Sequence, residues 1–237
     1  MNNYIDGVNM STECYESRIT ECYKSQFTRE LSKSRRPLRI LMHVCCGPCA
    51  AWPMKRFTED NNFELAAVFY NPNIHPKDEF EKRKEGAVQI AKNFSVPLSV
   101  YNDYMQREWE EFERTRHERQ DRLERTHNAR ADMHERARDS RQDERSERCG
   151  MCYGIRLGFV AEKAKETGYD AFTTSLLISP YQDHNLIKEL GEKYQKEFNI
   201  SFYYEDFRPA FREGQMIAKN MGVYRQKYCG CIISLDI

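Results

Sequence analysis

Seven of the nine cysteines in this 237-residue sequence fall into three tight groups, Cys45-Cys46-x-x-Cys49, Cys149-x-x-Cys152 and Cys229-x-Cys231. Thiolates are soft ligands that select zinc, copper(I) or iron–sulfur clusters over hard cations. A structural zinc is satisfied by four ligands, typically from two paired groups, so seven thiols brought together by a fold leave three over. That surplus points to iron. Either common iron–sulfur cluster takes four thiolates, and the remaining thiols are then available to bind a second metal, to act as a redox pair or to protonate a substrate. Buried cysteine is also an ordinary small core residue, but adjacent cysteines beside Gly47-Pro48 fit that description badly. Cys14 and Cys22 match no metal spacing and are expected to be plain thiols.

Two uses remain open for Cys229-x-Cys231. An extended three-residue span separates the two Cα atoms by roughly 7 Å, the limit of what a disulfide bond tolerates, although Gly230 permits a tighter bend. A strained bridge would be labile, as suits a catalytic pair. Two thiolates on one metal need no strain, and metal is the preferred reading.

These groups must be positioned by the elements between them. Leu38 to Val44 reads as a strand ending at the first group, with a helix from Pro48 to Phe57. Leu65 to Tyr70 reads as a second strand, stopped by Asn71-Pro72-Asn73, and His75 to Phe94 as a charged amphipathic helix leading to a third strand near Leu98 to Tyr101. After the second group come a helix from Tyr153 to Thr167, a strand from Ala171 to Ile178, a helix from His184 to Phe198 and a last strand from Ser201 to Tyr204. Strands alternating with helices imply an α/β domain with a mostly parallel sheet and right-handed crossovers. Ligand sites in such sheets lie beyond the carboxyl ends of the strands, so one shared thiol site is expected there. Residues 1–37 read as a flexible lead-in and 38–237 as a single domain.

Polar residues stand at the same strand ends: Asn71, Asn73 and His75 after the second strand; Ser175, Tyr181, Asp183 and His184 after the fourth; Asp206 and Arg208 after the fifth; Tyr224 and Tyr228 before the last thiols. Each has a turn or capping role as its plain alternative.

From 113 to 147 almost every second residue is charged, with Leu123 and Met133 the large apolar exceptions, so the stretch cannot bury a core face. It reads as an exposed, fraying helical insertion. The pairs Glu118–Arg122, Asp121–Arg125 and Asp132–Arg136 each support isolated helix by about 0.2–0.5 kcal/mol. His117, His127 and His134 read as surface residues, and the stretch as removable without loss of core.

Composition bounds the setting. With 37 Lys+Arg against 37 Asp+Glu, 40% hydrophobic residues and a mean hydropathy of −0.84, no run is apolar enough to span a membrane. A secretory leader pattern is lacking, so a cytoplasmic, reducing setting is expected, where such cysteines mean metal or catalysis. Zero net charge supplies no global field for nucleic acid. No membrane or DNA partner is expected, and RNA contact would rest on local basic residues: Lys33, Arg35, Arg36 and Arg39, with Lys77, Lys82, Arg83 and Lys84.

Absent motifs narrow the chemistry further. No glycine-rich dinucleotide or phosphate loop follows a strand, and the cysteine spacing is not that of radical enzymes using S-adenosylmethionine. Electron transfer to a bound substrate is left.

Six ordered motifs carry a specific resemblance: Leu41-Met42-His43-Val44-Cys45-Cys46-Gly47-Pro48-Cys49, Tyr70-Asn71-Pro72-Asn73-Ile74-His75, Glu147-Arg148-Cys149 with Cys152-Tyr153, Phe172 through Pro180, Asp206-Phe207-Arg208-Pro209, and Gln226-Lys227-Tyr228-Cys229-Gly230-Cys231. Over residues 38–234 the chain resembles the epoxyqueuosine reductase QueH family. The resemblance implies a HUP-like α/β fold without a phosphate loop, a [4Fe–4S] cluster and a neighbouring mononuclear iron. It also implies a reaction, the removal of the epoxide oxygen from epoxyqueuosine at the wobble position of tRNA by two electrons and two protons from an unidentified donor. All seven grouped cysteines are then metal-ligand candidates, with Cys229, Cys231 and Asp183 as catalytic candidates. Tyr70, Asn71, Asn73, His75, Ser175, Tyr181 and Arg208 are the expected substrate contacts, the aromatics stacking on an unstacked base. The charged stretch replaces a much shorter family linker. The alternatives are a cluster-dependent tRNA sulfur transferase and a non-catalytic, metal-stabilised binding protein.

Overall fold

The computed structural model describes residues 36–112, 114, 115, 118 and 133–231, together with two short strands, β1 (Tyr4–Ile5) and β2 (Val8–Asn9), that pair antiparallel. Cys14, Cys22, Lys33 and Arg35 lie outside the described residues, as does at least one member of each of the charged pairs read above.

The main sheet has five strands, all parallel, in the order β5-β4-β3-β6-β7. These are β3 (Leu38–His43), β4 (Phe63–Phe69), β5 (Leu98–Val100), β6 (Ala171–Thr174) and β7 (Ser201–Phe202). β3 is central because its side chains suit burial on both faces: Ile40, Met42 and His43 are fully inaccessible, as a parallel strand covered on both sides requires. The crossovers are α1 (Gly47–Thr58), α2 (Lys77–Asn93), α3 (Met133–Glu166) and α4 (His184–Phe198), and α5 (Phe211–Asn220) follows β7. From β3 the chain moves outward to β4 and β5, then crosses to β6 and β7 on the opposite side. Right-handed crossovers therefore put α1 and α2 on one face and α3 and α4 on the other. This is the expected Rossmann-like α/β fold, with its topological switch point between the carboxyl ends of β3 and β6.

Three elements differ from the sequence reading. β6 ends at Thr174, and Ser175–Ile178 form a 3-10 turn, because the Thr174 hydroxyl accepts the Leu176 N–H at 3.1 Å and rolls the apolar run into a local cap. α3 begins at Met133, not near Tyr153. Its charged residues are sound helix formers and nothing before Gly150 interrupts them. The second cysteine pair thus lies within a helix. Thirdly, α5 escaped the pattern because it is short and carries Gly214 at its centre, where the glycine brings it against Trp52 and Pro48 of α1. No described helix is long and apolar enough to cross a membrane.

Candidate metal centre

Cys45 and Cys46 follow directly from β3, and Cys49 lies in the first turn of α1. Pro48 starts that helix at a position where its missing N–H costs nothing, and Cys46 takes the extended N-cap conformation. The three sulfurs lie within 4.8 Å of one another, all buried, with the Cys45 and Cys46 Sγ atoms 3.7 Å apart. A helix N-terminus favours negative charge. Hydrogen bonds from Cys46, Cys49 and Ser175 pull the Cys45 thiol well below its ordinary value. Burial pushes Cys46 up, and hydrogen bonding with Cys45 and Cys46 pushes Cys49 up. Three sulfurs packed this closely suit a shared cation, so the donor set fits a soft metal ion or cluster.

Ser175 closes the switch point. Its Oγ accepts the Cys45 N–H at 3.1 Å and donates to Cys45 Sγ at 3.4 Å, which locks the end of β3 to the end of β6. Beneath it His43 is fully buried, 2.9 Å from Thr174 Oγ1 and 3.3 Å from Asn71 Oδ1. Burial and the nearby Arg156 charge lower its pKa to about 4, so it is neutral at physiological pH. The Asn71 amide donates to Val44 O at 2.8 Å, tying the loop after β4 to the chain entering Cys45.

On α3, Cys149 and Cys152 are spaced i,i+3 and so share one helix face. Burial pushes the Cys152 thiol up, with the Arg156 charge and a hydrogen bond from Asn73 opposing that rise. The elements carrying the three groups meet through Gln226 on Cys46 Sγ and Arg148 on Cys231 Sγ, and among the described residues the first triad is within ligand spacing. The last pair sits in an irregular segment after α5. There Gly230 has φ +102°, a backbone conformation open to glycine, and a Cβ at this position would lie 2.9 Å from Arg83 Nη1. Arg148 Nη1 reaches Cys231 Sγ at 3.9 Å.

The remaining candidates divide. Asn73 and His75 are 1% and 2% exposed. Among the described residues the Asn73 amide makes no hydrogen bond to nitrogen or oxygen, and it lies against Cys152. His75 Nδ1 is 2.8 Å from Tyr104 OH, while its Nε2 has no partner among the described residues. Tyr70 is half-buried and stacks on Phe159 at 3.7 Å. Tyr181 is 70% exposed, edge-on to Phe211. Asp183 caps α4, its Oδ1 accepting the Leu186 N–H at 3.0 Å. Arg208 pairs with Asp206 at 2.7 Å.

Two roles were hidden in the sequence. The Gln226 amide donates to Cys46 Sγ at 2.9 Å and approaches Cys49 Sγ at 3.7 Å, a contact that no local spacing reveals across 180 residues. The expected use of Arg83 as a phosphate contact is overturned. It is 3% exposed and pairs with Glu79 at 2.7 Å, since a guanidinium on the inward face of α2 cannot reach an external phosphate. Arg36 pairs with Asp170, Lys77 with Glu81, and Lys84 with Glu81.

The family model for the epoxyqueuosine reductase QueH matches residues 40–137 and 123–236. The two matches overlap at residues 123–137, inside the charged stretch. Curated relatives include the epoxyqueuosine reductases QueH of Thermotoga maritima, 31% identical over 83% of this chain and 90% of its own length, and of Streptococcus pyogenes, 30% identical over 81% and 69%. The Haemophilus influenzae protein of the same name is 31% identical over 83% and 71%. Its thiol groups standing where the fold gathers them, this chain belongs to the epoxyqueuosine reductase QueH family.

Proposed function

We propose that this protein reduces epoxyqueuosine in tRNA, with Cys45, Cys46, Cys49, Cys149, Cys152, Cys229 and Cys231 together holding a [4Fe–4S] cluster and a neighbouring mononuclear iron. The observation that carries the reading is the buried Cys45–Cys46–Cys49 triad, its sulfurs within 4.8 Å of one another, with Gln226 of the last cysteine segment donating to Cys46 Sγ at 2.9 Å. Such a group, when bound, supplies electrons singly from the cluster and a Lewis-acidic iron for an oxygen ligand. Opening the epoxide to an alkene takes two electrons from an external donor and two protons, and releases the oxygen as water.

The protein's own residues do the rest. Tyr181 offers an exposed ring on which an unstacked wobble base can lie. The Asn73 amide lies against Cys152 and His75 Nε2 is buried without a partner among the described residues, and such atoms acquire their full worth when a ligand satisfies them. Asn71 and Ser175 tie the loops after β4 and β6 to the chain at Cys45, and Tyr70, stacked on Phe159, and Arg208, paired with Asp206, are assigned to substrate contact. Asp183, the cap of α4, is assigned the proton donation.

Two outcomes test this reading. Anaerobically purified protein is expected to be brown and to contain acid-labile sulfide with more than four irons per chain. Colourless protein holding stoichiometric zinc overturns it. Asp183→Asn keeps a competent N-cap, since asparagine caps as well as aspartate, but removes the acid. Its melting temperature is expected to be unchanged while turnover of epoxyqueuosine tRNA falls about 100-fold or more, the range of general acid catalysis. Wild-type turnover in this variant would leave Asp183 as a cap alone.

A further inference from the structure

The segment carrying Cys229 and Cys231 has no regular secondary structure after α5, and Cys229 itself is exposed, so apolar packing does not explain its position. Its backbone is instead gripped from α2. Arg83 donates from Nη1 to Cys229 O at 2.9 Å and from Nη2 to Tyr228 O at 2.9 Å, while its Nε donates to Glu79 Oε1 at 2.7 Å. Glu79 is fixed in turn by Tyr224 OH at 2.6 Å. The guanidinium lies 5.3 Å from the Tyr228 ring centroid. Two further contacts complete the seat, His75 N–H to Gly230 O at 2.9 Å and Tyr228 OH to His75 O.

A buried arginine on a helix usually needs no more than its i,i+4 carboxylate. Here the planar fork reaches past Glu79 to two successive carbonyls of a segment 145 residues away, a geometry lysine does not reproduce. Its charge also stands within electrostatic reach of Cys46 and Cys45. We infer that Arg83 is a positioning residue, a buried clamp that seats the Cys229–Cys231 segment over the first cysteine triad and so decides whether the last two thiols join the metal site. This rests on the reading of the seven thiols as one site.

Cobalt(II) titration of metal-free protein under anaerobic conditions provides the test, read through the thiolate-to-cobalt charge-transfer band. The share of that band belonging to the last pair is the share lost in the Cys229→Ser, Cys231→Ser double variant. Arg83→Met is expected to lose the same share, or to bind that cobalt about tenfold or more weakly, the equivalent of one hydrogen bond to a charged group. Arg83→Lys, which keeps a cation against Glu79 without the fork, is expected to behave alike. Glu79→Gln, whose side-chain oxygen still accepts from Arg83 Nε, retains the band. Amide exchange at His75, whose N–H is held by Gly230 O, reads the seat without metal and should speed up by a similar factor in both Arg83 variants.

Unchanged exchange at His75 together with an unchanged cobalt band in Arg83→Met and Arg83→Lys overturns the inference. So does a loss in Glu79→Gln equal to that in Arg83→Met, which would make the network a general stabiliser. If the double serine variant itself loses no band, the one-site reading fails, and exchange at His75 alone then decides whether Arg83 seats the segment.

Discussion

Serine at any one of Cys45, Cys46, Cys49, Cys149, Cys152, Cys229 or Cys231 is expected to abolish reduction of epoxyqueuosine in tRNA, whereas Cys14→Ser and Cys22→Ser leave it intact. The substitution is nearly isosteric, so the fold is spared, but it replaces a soft thiolate by a hydroxyl that stays protonated and binds soft metals poorly. Loss of a residue that merely orients a ligand costs about 10- to 100-fold, and loss of the ligand should exceed that. The first triad is the most sensitive case. Hydrogen bonds from Cys46, Cys49 and Ser175 hold the Cys45 thiol well below its ordinary value, and Ser175 ties it to the end of β6 through its N–H and Sγ, so its loss disturbs the whole triad. Conversion of the modified nucleoside, followed by mass spectrometry of digested tRNA, measures the effect, and iron content of the same preparations shows whether metal is lost with it. Full activity in the Cys229→Ser, Cys231→Ser double variant would make the last pair purely structural.

Gly47→Ala should be the most damaging single-methyl change near the site. A Cβ on Gly47 would lie 2.6 Å from Gly86 O, 2.7 Å from Gly86 C and 2.8 Å from Val223 Cγ1. Two of these atoms belong to the backbone of α2 and cannot rotate away, so α1 or α2 has to move. Overpacking of this kind costs about 1–3 kcal/mol, which in a domain of this size lowers the melting temperature by about 2–4 °C per kcal/mol. The function suffers more than the stability, because the turn that must shift carries Cys46 and Cys49. Iron content and activity should both fall. Gly86→Ala is the informative contrast. Its Cβ meets Val223 Cγ1 at 3.0 Å and no backbone atom closer than 3.8 Å, and alanine is the better helix former, so stability should change little. Equal melting temperatures for the wild type and Gly47→Ala would mean that the two helices are not held at this separation.

Much of the architecture was legible in the amino-acid order, for a definite reason. Burial of a parallel strand on both faces demands short, continuous apolar runs, so the runs Leu38–Val44 and Leu65–Tyr70 marked two strands that the fold places at Leu38–His43 and Phe63–Phe69, and α4 showed the 3.6-residue period and capping aspartate of an amphipathic surface helix. Thiol chemistry was legible too. Cysteines at two- and three-residue spacings are local features, and soft-metal selectivity follows from the sulfur itself. Residue types alone pointed to a soft-metal site, and motif order pointed to the family.

Tertiary structure decided what depends on distant partners. Arg83 looked like one of four surface cations on a charged helix, and only the packing of α2 against the last segment turned it inward onto Glu79 and two carbonyls. Gln226 gave no signal of its own, because its amide meets Cys46 across 180 residues. Gly47 read as the start of a turn, yet it is required by the backbone of α2 pressing on the first turn of α1. The second cysteine pair lay in a stretch where charge density hid a continuous helix, and only the fold shows that Cys149 and Cys152 share one face of it. Sequence reports the chemistry a side chain carries and the local period that places it in a strand or helix. Which long-range neighbour desolvates it, neutralises its charge or blocks a methyl group is set by chain closure over more than a hundred residues, and no local pattern encodes that.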